Sequence, residues 1–494
     1  EFILRRRGDH MAKQSIARDA IKLTTSKIIT MVLSMVAAML LSRFRTLEEY
    51  GTYSQLLMVI NIVTTILVMG LPNSINYFLA RAENEEAREK FLSLYYTLST
   101  VLGFMTGLVL VLSTPLLVSY FNNPLIEKFI YVLAVFPWTR IVLSSIDHVL
   151  IVYRKQNALM LFRVLNSISI ILTIFIVQFF NLTFNDYMVL FILLESIFSL
   201  AVYAVVYKNT GKLRFQFNWN DLMVVLKFSL PIGLATVVGR LNIELDKLLI
   251  ARFFSTADVA IYTNAAREMP VTIIASALTA VLMPRLALLL KEHKYEQAMT
   301  IWGNSVEVSL TLIAVVSFGL IAYAPEAIII LYSDKYLPGV TVFQIYSVVQ
   351  LLRITYFGII LNSMGKTKLI FYSSVVSLVV NVILNYLFYL VFGFIGPALA
   401  TIIALFAGAL MQLVATSKST GISISRMFPW KRMLKIVIIN AVFAIVFFVL
   451  KQILDLQLLV GQVGEALLLG AVWSGIYLLT QLKAMKANMR KLNV

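Results

Sequence analysis

The chain has 494 residues, 60% of them hydrophobic and 14% charged, against about 45–50% and 25% in an ordinary soluble domain. That balance excludes a soluble globular protein. The absence of cysteine excludes disulfide frameworks, thiolate metal sites and cysteine nucleophiles, and three scattered histidines (His10, His148, His293) count against a zinc hydrolase. The net charge of +17 needs an explanation, and its placement along the chain supplies one.

Residues Glu1 to His10 precede Met11 and read as a vector-derived scar. Apolar stretches separated by short polar loops then follow at about 21–42, 52–80, 91–119, 127–152, 157–180, 187–207, 222–252, 258–285, 303–331, 340–363, 369–391, 395–416, 434–451 and 463–482. Each is long enough to cross a hydrocarbon core of about 30 Å as a helix, and the alternating pattern of an outer-membrane barrel is absent. The expected fold is an all-α polytopic membrane protein of about 14 transmembrane helices. The first span is not a cleaved signal peptide, since no small-residue cleavage site ends it.

With the N-terminus inside, the inner segments hold 25 Lys and Arg and the outer loops hold six: Arg43, Arg45, Lys128, Arg252, Lys335 and Lys451. The positive-inside rule then puts both termini in the cytoplasm. The basic excess is mostly topology, with some contact to the lipid bilayer's anionic headgroups, and it gives no support to nucleic-acid binding.

The chain repeats itself. Leu41-Ser42-Arg43-Phe44, followed by Glu49 and Tyr53, returns 209 residues later as Ile250-Ala251-Arg252-Phe253, followed by Asp258 and Tyr262. Pro72 returns as Pro284 and Pro115 as Pro325, at offsets of 212 and 210. Spans 1–6 and 7–12 read as one duplicated unit, with an N-terminal bundle over 11–214, a C-terminal bundle over 215–420, and a C-terminal helix pair with a cytoplasmic tail over 421–494. An even number of spans separates the copies, so the repeats are parallel, an architecture used for alternating access. The paired prolines are bend points on this reading. Any single proline has a blander one, because proline is commoner in membrane helices than in soluble ones.

Eight basic residues remain within spans: Lys27, Arg140, Arg163, Lys227, Arg240, Lys247, Arg267 and Arg353. A charge at mid-membrane costs at least about 2.5–3.5 kcal/mol, so by default it faces a bundle interior or a wet cavity. Lys27, Arg163 and Lys227 lie close enough to the inner ends of their spans to snorkel. Arg140 and Arg353, each about thirteen residues into counterpart spans, do not. Span 7 carries Arg240, Glu244, Asp246 and Lys247, of which 240, 244 and 247 share one helical face.

A cationic cavity built from Arg140, Arg240, Arg267, Arg353, Lys27 and Arg163 suits an anionic ligand, and arginine forks match the oxygens of a pyrophosphate. Glu244, Asp246, Lys247 and Glu268 have two open readings: coupling to an H⁺ or Na⁺ gradient, or charge pairing that fixes helix packing. Asp147, His148, Glu195 and Glu307 are more often satisfied by a neighbouring helix. Tyr77, Tyr95, Trp138 and Tyr346 fit packing or interfacial roles better than sugar stacking.

The run Leu41-Ser42-Arg43-Phe44 through Glu49-Tyr50-Gly51-Thr52-Tyr53, with Met69-Gly70-Leu71-Pro72, resembles the N-terminal pattern of Wzx-type polysaccharide transporters. Asp246 to Ala251, Ile261 to Ala266 and Leu282-Met283-Pro284 resemble the same family's second half. The resemblance covers essentially the whole chain. It implies a flippase of the multidrug/oligosaccharidyl-lipid/polysaccharide (MOP) superfamily that moves a polyprenyl-pyrophosphate-linked oligosaccharide across the bacterial cytoplasmic membrane. The product would feed O-antigen, capsule or exopolysaccharide synthesis, with a polysaccharide polymerase and chain-length machinery as partners. It implies no cofactor beyond an H⁺ or Na⁺ gradient, and Asp246 falls on the family's seventh-helix acid.

The alternatives are a multidrug exporter of the same superfamily and a lipid II flippase. An exporter of organic cations would suit an acidic cavity better than four deep arginines. A membrane glycosyltransferase or polymerase fits less well, because the outer loops are short, and the expectation is that the chain is not an enzyme.

Overall fold

The computed structural model describes residues 24–492 apart from residue 455, so the scar proposed at 1–10 and the first basic segment lie outside the described residues. The described residues form helices and no strand. That follows from the solvent: a lipid-facing segment must satisfy its backbone internally, and a helix does so within one stretch of chain.

In the first half the helices are α1 (Thr24–Phe44), α2 (Leu47–Val68), α3 (Leu71–Arg81), α4 (Glu85–Leu112), α5 (Thr114–Phe121), α6 (Leu125–Leu133), α7 (Phe136–Val152), α8 (Gln156–Phe179) and α9 (Phe184–Thr210). They continue with α10 (Trp219–Phe253), α11 (Thr256–Ala265), α12 (Ile273–Lys291), α13 (Tyr295–Ala322), α14 (Ala324–Leu331), α15 (Val340–Leu351) and α16 (Ile359–Ser363). The last are α17 (Thr367–Phe392), α18 (Gly396–Thr420), α19 (Ile424–Met427), α20 (Trp430–Leu454) and α21 (Gln457–Leu492).

The chain is a multi-pass membrane protein. Among the described residues, 11 helical stretches are long and apolar enough to cross a membrane, or up to 12 if the bent pair α6 and α7 is one span. The expected count of about fourteen is therefore not reached on length and composition. One source of the difference is the 54-residue stretch Thr367–Thr420, which contains two helices, α17 and α18, packed on each other. A straight helix of that length would run about 80 Å, far beyond one crossing. The other is the apolar segment at 340–363, which is broken into the short helices α15 and α16.

The repeat motifs have a local physical role. Thr46 caps α2 in a capping box with Glu49, and Ser255 caps α11 in the same way with Asp258. Farther on, a 28-residue helix followed by an 8-residue helix with proline in its first turn occurs as α4 and α5, then as α13 and α14. Pro115 and Pro325 thus mark helix starts, where proline's missing N–H costs nothing. Pro72 starts α3 after a break at Met69-Gly70, whereas Pro284 lies inside α12.

The chain divides into two compact units, 1–244 and 245–494, with the boundary inside α10. The division expected from the repeat lies at 214/215, between α9 and α10. In the first unit α4 packs against α2, α3 and α7 over a core that includes Leu71, Ile75, Leu92, Tyr95, Val142 and Val149. In the second unit α13 packs against α12, α15, α20 and α21 through Trp302, Val306, Leu310 and Ile313. These two helices are the most buried of the candidate spans, at 56% and 61%. Each is the post around which its unit is built.

The second unit also holds a buried ion pair between Glu326 at the start of α14 and Lys451 at the end of α20, with Gln462 Nε2 donating to Glu326 Oε1 at 3.0 Å. Removing one partner leaves a buried charge uncompensated. Lys451→Ala is expected to cost about 3–5 kcal/mol, read as a lower thermal midpoint of the purified protein. The double change Glu326→Leu with Lys451→Leu should recover most of that loss, and a double variant no better than Lys451→Ala would overturn the assignment.

Candidate functional site

The first unit encloses a cavity of about 790 Å³, lined by residues of α1, α2, α3, α7, α8, α9 and α10. Arg140, Arg163 and Arg240 line it, together with Asp147 and Glu195. Uncharged polar groups from α2 (Asn61, Thr64, Thr65), α3 (Asn73), α7 (Ser144) and α10 (Thr236) complete the wall. Lys27 is exposed on α1 and is not among the lining residues.

The three arginines differ in what they meet. Arg163 grips Asp147 with both ends of its fork, Nε to Oδ1 at 2.8 Å and Nη2 to Oδ2, so its charge is spent inside the protein. Arg240 Nε lies 3.5 Å from Glu244 Oε1, one helical turn along α10. Arg140 makes no ion pair among the described residues. Its guanidinium lies 5.7 Å from the centroid of the Phe136 ring, and the side chain is exposed to the cavity. Glu195, 4% exposed, accepts from Asn166 Nδ2 at 2.9 Å.

Local geometry places Arg140. The expected span 127–152 is bent by 46° between α6 and α7, and Pro137 sits in the first turn of α7. Proline cannot continue the preceding hydrogen-bond ladder, so α7 starts afresh there and presents Arg140 in its second turn.

The second unit holds the other candidates. Asp246, 1% exposed on α10, accepts at Oδ2 from the hydroxyls of Tyr262 on α11, at 3.2 Å, and Tyr346 on α15. Its Oδ1 lies 2.8 Å from the backbone N of Lys247. One carboxylate therefore gathers three helices. Arg353, in the irregular segment after α15, pairs with Glu268 at 2.9 Å, and Arg267 and Glu268 sit in the break after α11.

The weaker candidates lie against neighbouring helices. His148 Nδ1 is 2.8 Å from Asn76 Nδ2, Glu307 faces Arg432 at 3.6 Å, Trp138 Nε1 donates to Tyr203 at 3.1 Å, and Tyr95 is buried in the core. Sequence reasoning overlooked the neutral wall of Asn61, Thr64, Thr65 and Asn166. The signal was available: 61, 64 and 65 share one face of α2, and Asn166 lies three residues from Arg163 on α8.

A family model described as "Polysaccharide biosynthesis protein" matches residues 40–341, more than half of the chain. The chain belongs to the polysaccharide biosynthesis protein family. Within the family's matched span lie the cavity residues of α2 to α10 and both copies of the capping-box motif. The chain is 23% identical over 302 residues to the teichuronic acid biosynthesis protein TuaB of Bacillus subtilis, covering 59% of this chain and 61% of TuaB. It is 24% identical over 198 residues to the probable low-salt glycan biosynthesis flippase Agl15 of Haloferax volcanii, covering 40% of this chain and 39% of Agl15. The matched part is thus less than two thirds of either relative. Among solved structures, the lipid II flippase MurJ in an inward closed conformation superposes with a TM-score of 0.73 at 16% identity, covering 94% of this chain and all of that one. The fold of this polysaccharide biosynthesis protein is accordingly like that of MurJ.

The ion pairs separate structural from available charge. Arg163→Ala strands Asp147 beside the cavity and should lower the thermal midpoint, whereas Arg140→Ala removes no ion pair and should leave it within experimental error. Melting curves of the two purified variants check this, and a larger loss for Arg140→Ala would show that Arg140 is structural.

Proposed function

We propose that the protein is a flippase that carries a polyprenyl-pyrophosphate-linked oligosaccharide from the inner to the outer leaflet of the bacterial cytoplasmic membrane. The single observation that carries this reading is Arg140, a guanidinium without an ion-pair partner among the described residues, in a cavity walled by amides and hydroxyls. A pyrophosphate supplies the counter-charge that Arg140 lacks, and neutral polar groups are the chemistry that binds sugar hydroxyls. The cavity's volume falls within the about 300–1,000 Å³ of small-molecule sites, enough for a polar headgroup while the polyprenyl tail stays in lipid.

The relatives support the pathway class. One is named for the synthesis of a polysaccharide and the other as a glycan biosynthesis flippase. The Lys and Arg distribution supports cytoplasmic termini. The recurrence of α4 and α5 as α13 and α14, with the two capping boxes, supports two parallel six-helix repeats followed by a C-terminal pair that work by alternating access. Delivery would serve a polymerase and its chain-length machinery in O-antigen, capsule or exopolysaccharide synthesis. A multidrug exporter of organic cations would need acid where the cavity presents Arg140. A lipid II flippase has the same cargo chemistry around the pyrophosphate and differs in its sugars.

Arg353, Arg267, Lys27 and Arg240 are assigned secondary roles along the cargo path. Asp246 is the site at which an H⁺ or Na⁺ gradient is coupled, because neutralising it would loosen both tyrosines and so reach α11 and α15 together.

Proteoliposomes loaded with a polyprenyl-pyrophosphate oligosaccharide test the reading through leaflet accessibility of the sugar. Arg140→Ala and Arg353→Ala should each slow flipping at least about tenfold, the scale of one lost charge-assisted hydrogen bond. Wild-type rates in both would sink the cavity assignment, and export of an organic cation without sugar movement would favour the exporter. Asp246→Asn keeps an acceptor for the tyrosines but removes the charge, so the response to an imposed ion gradient should vanish. A gradient response equal to wild type would make Asp246 a packing residue.

A further inference from the structure

Beyond the cavity, the first half of α10 meets α3 and then α4 toward the Arg81 and Trp219 ends, in three successive layers. The first is backbone on backbone. A Cβ added to Gly70 would lie 2.8 Å from Gly233 N, and one added to Gly233 would lie 2.3 Å from the carbonyl carbon of Met69. Gly70 also has φ of +74°, a conformation that favours glycine. The second layer is aromatic: Tyr77 stacks on Phe228 with centroids 4.3 Å apart, Phe78 meets the edge of the same ring at 5.4 Å, and the Arg81 guanidinium covers Tyr77 at 4.0 Å. The third is ionic, Lys90 Nζ to Asp221 Oδ2 at 2.8 Å.

At the glycine contact, α3 and α10 also line the cavity. Pro72 and Asn73 on α3, and Thr236, Gly239 and Arg240 on α10, face it. The aromatic and ionic layers therefore stand between the cavity and the loops at 82–84 and 211–218, the face assigned to the cytoplasm. Pro231 lies inside α10, two residues from Gly233. It removes one ladder hydrogen bond, the one its missing N–H would give to Lys227, and so provides a defined bending point.

We propose that these contacts form a latch that closes the cytoplasmic mouth of the cavity, and that α10 bends at Pro231 to release it. The inference rests on the transport reading for its purpose and on the three layers for its existence. Opening requires the aromatic stack to part and the Lys90 to Asp221 pair to break. The two glycines are what let the backbones meet when it shuts, since a side chain at either position wedges the helices apart.

The protein contains no cysteine, so introduced thiols report without background. In inside-out vesicles, Thr236→Cys serves as a reporter in the cavity wall, labelled by a membrane-impermeant maleimide. Labelling should rise at least about fivefold when Asp221→Lys sets a like charge against Lys90, and again with Gly233→Leu. The Asp221 change is at a partly exposed position, so it keeps the test independent of any folding failure at Gly233. A separate Tyr77→Cys, Phe228→Cys protein, without the reporter, joined by a short reducible crosslinker, should stop flipping until reductant is added. Equal reporter labelling in the parent and Asp221→Lys overturns the latch, as does parental flipping in the crosslinked protein. Labelling that follows the latch while no variant moves lipid-linked sugar upholds the latch and overturns the transport reading.

Discussion

A charge inside a membrane protein has to be paired, hydrated or moved to the interface, and that constraint arranges most of this structure. Arg163 takes Asp147, Lys451 takes Glu326, Arg353 takes Glu268, and Arg432 reaches Glu307. Each pair joins segments distant along the chain or successive helices, so the electrostatic cost of burial is offset by contacts that also fix which element lies beside which. Asp246 also joins helices, by drawing the hydroxyls of Tyr262 and Tyr346 onto one carboxylate. The helices themselves are nearly uniform in hydrophobicity, and polar contacts of this kind supply the register that apolar surface alone leaves open.

The spans were legible in the sequence because the signal is local: twenty apolar residues and a polar loop read the same in any fold. The recurring motifs were legible for the same reason. Glu49 and Asp258 recur because each is the third residue of a helix whose cap needs it, and Pro115 and Pro325 recur because each opens a short helix. The i,i+4 pair of Arg240 and Glu244 could be read from spacing, but the partner of a charge on another helix could not. Arg163 read as a residue able to snorkel, yet Asp147 on the preceding helix captures it. Tyr346 read as a packing or belt aromatic, and its hydroxyl binds Asp246. Such contacts depend on the relative rotation of two helices, which no local pattern encodes. Helix breaks were harder still. The bend before Arg140 and the interruption before Arg353 fall inside continuously apolar stretches, so hydropathy passes over them.

The two halves of the chain share scaffold features and differ in their candidate site residues. Their central helices, α4 and α13, have equal length and are followed by equal short helices. Their deep arginines have not stayed equivalent. Arg140 stands in the second turn of an intact helix, near the Phe136 ring and in a cavity that Glu195 also lines, while Arg353 lies beyond the end of α15 and is held by Glu268.

Leaving Arg140 unpaired has a physical price that an evolved scaffold could remove with one carboxylate, as it does for Arg163 one helix away. In the proposed reading the missing partner is the cargo's pyrophosphate, and the consequence is a linkage between binding and the state of the cavity. A permanent counter-ion would satisfy Arg140 in every conformation and so would bind cargo weakly. An arginine that only the cargo neutralises makes the loaded cavity electrostatically complete and the empty one incomplete. Anion binding would then stabilise the first unit by mass action, in proportion to the logarithm of cargo concentration over its dissociation constant. The closed layers at Gly70 and Gly233 would be released or restored according to which of those two states the cavity is in, because a ligand shifts a conformational equilibrium only by its difference in affinity for the two conformations.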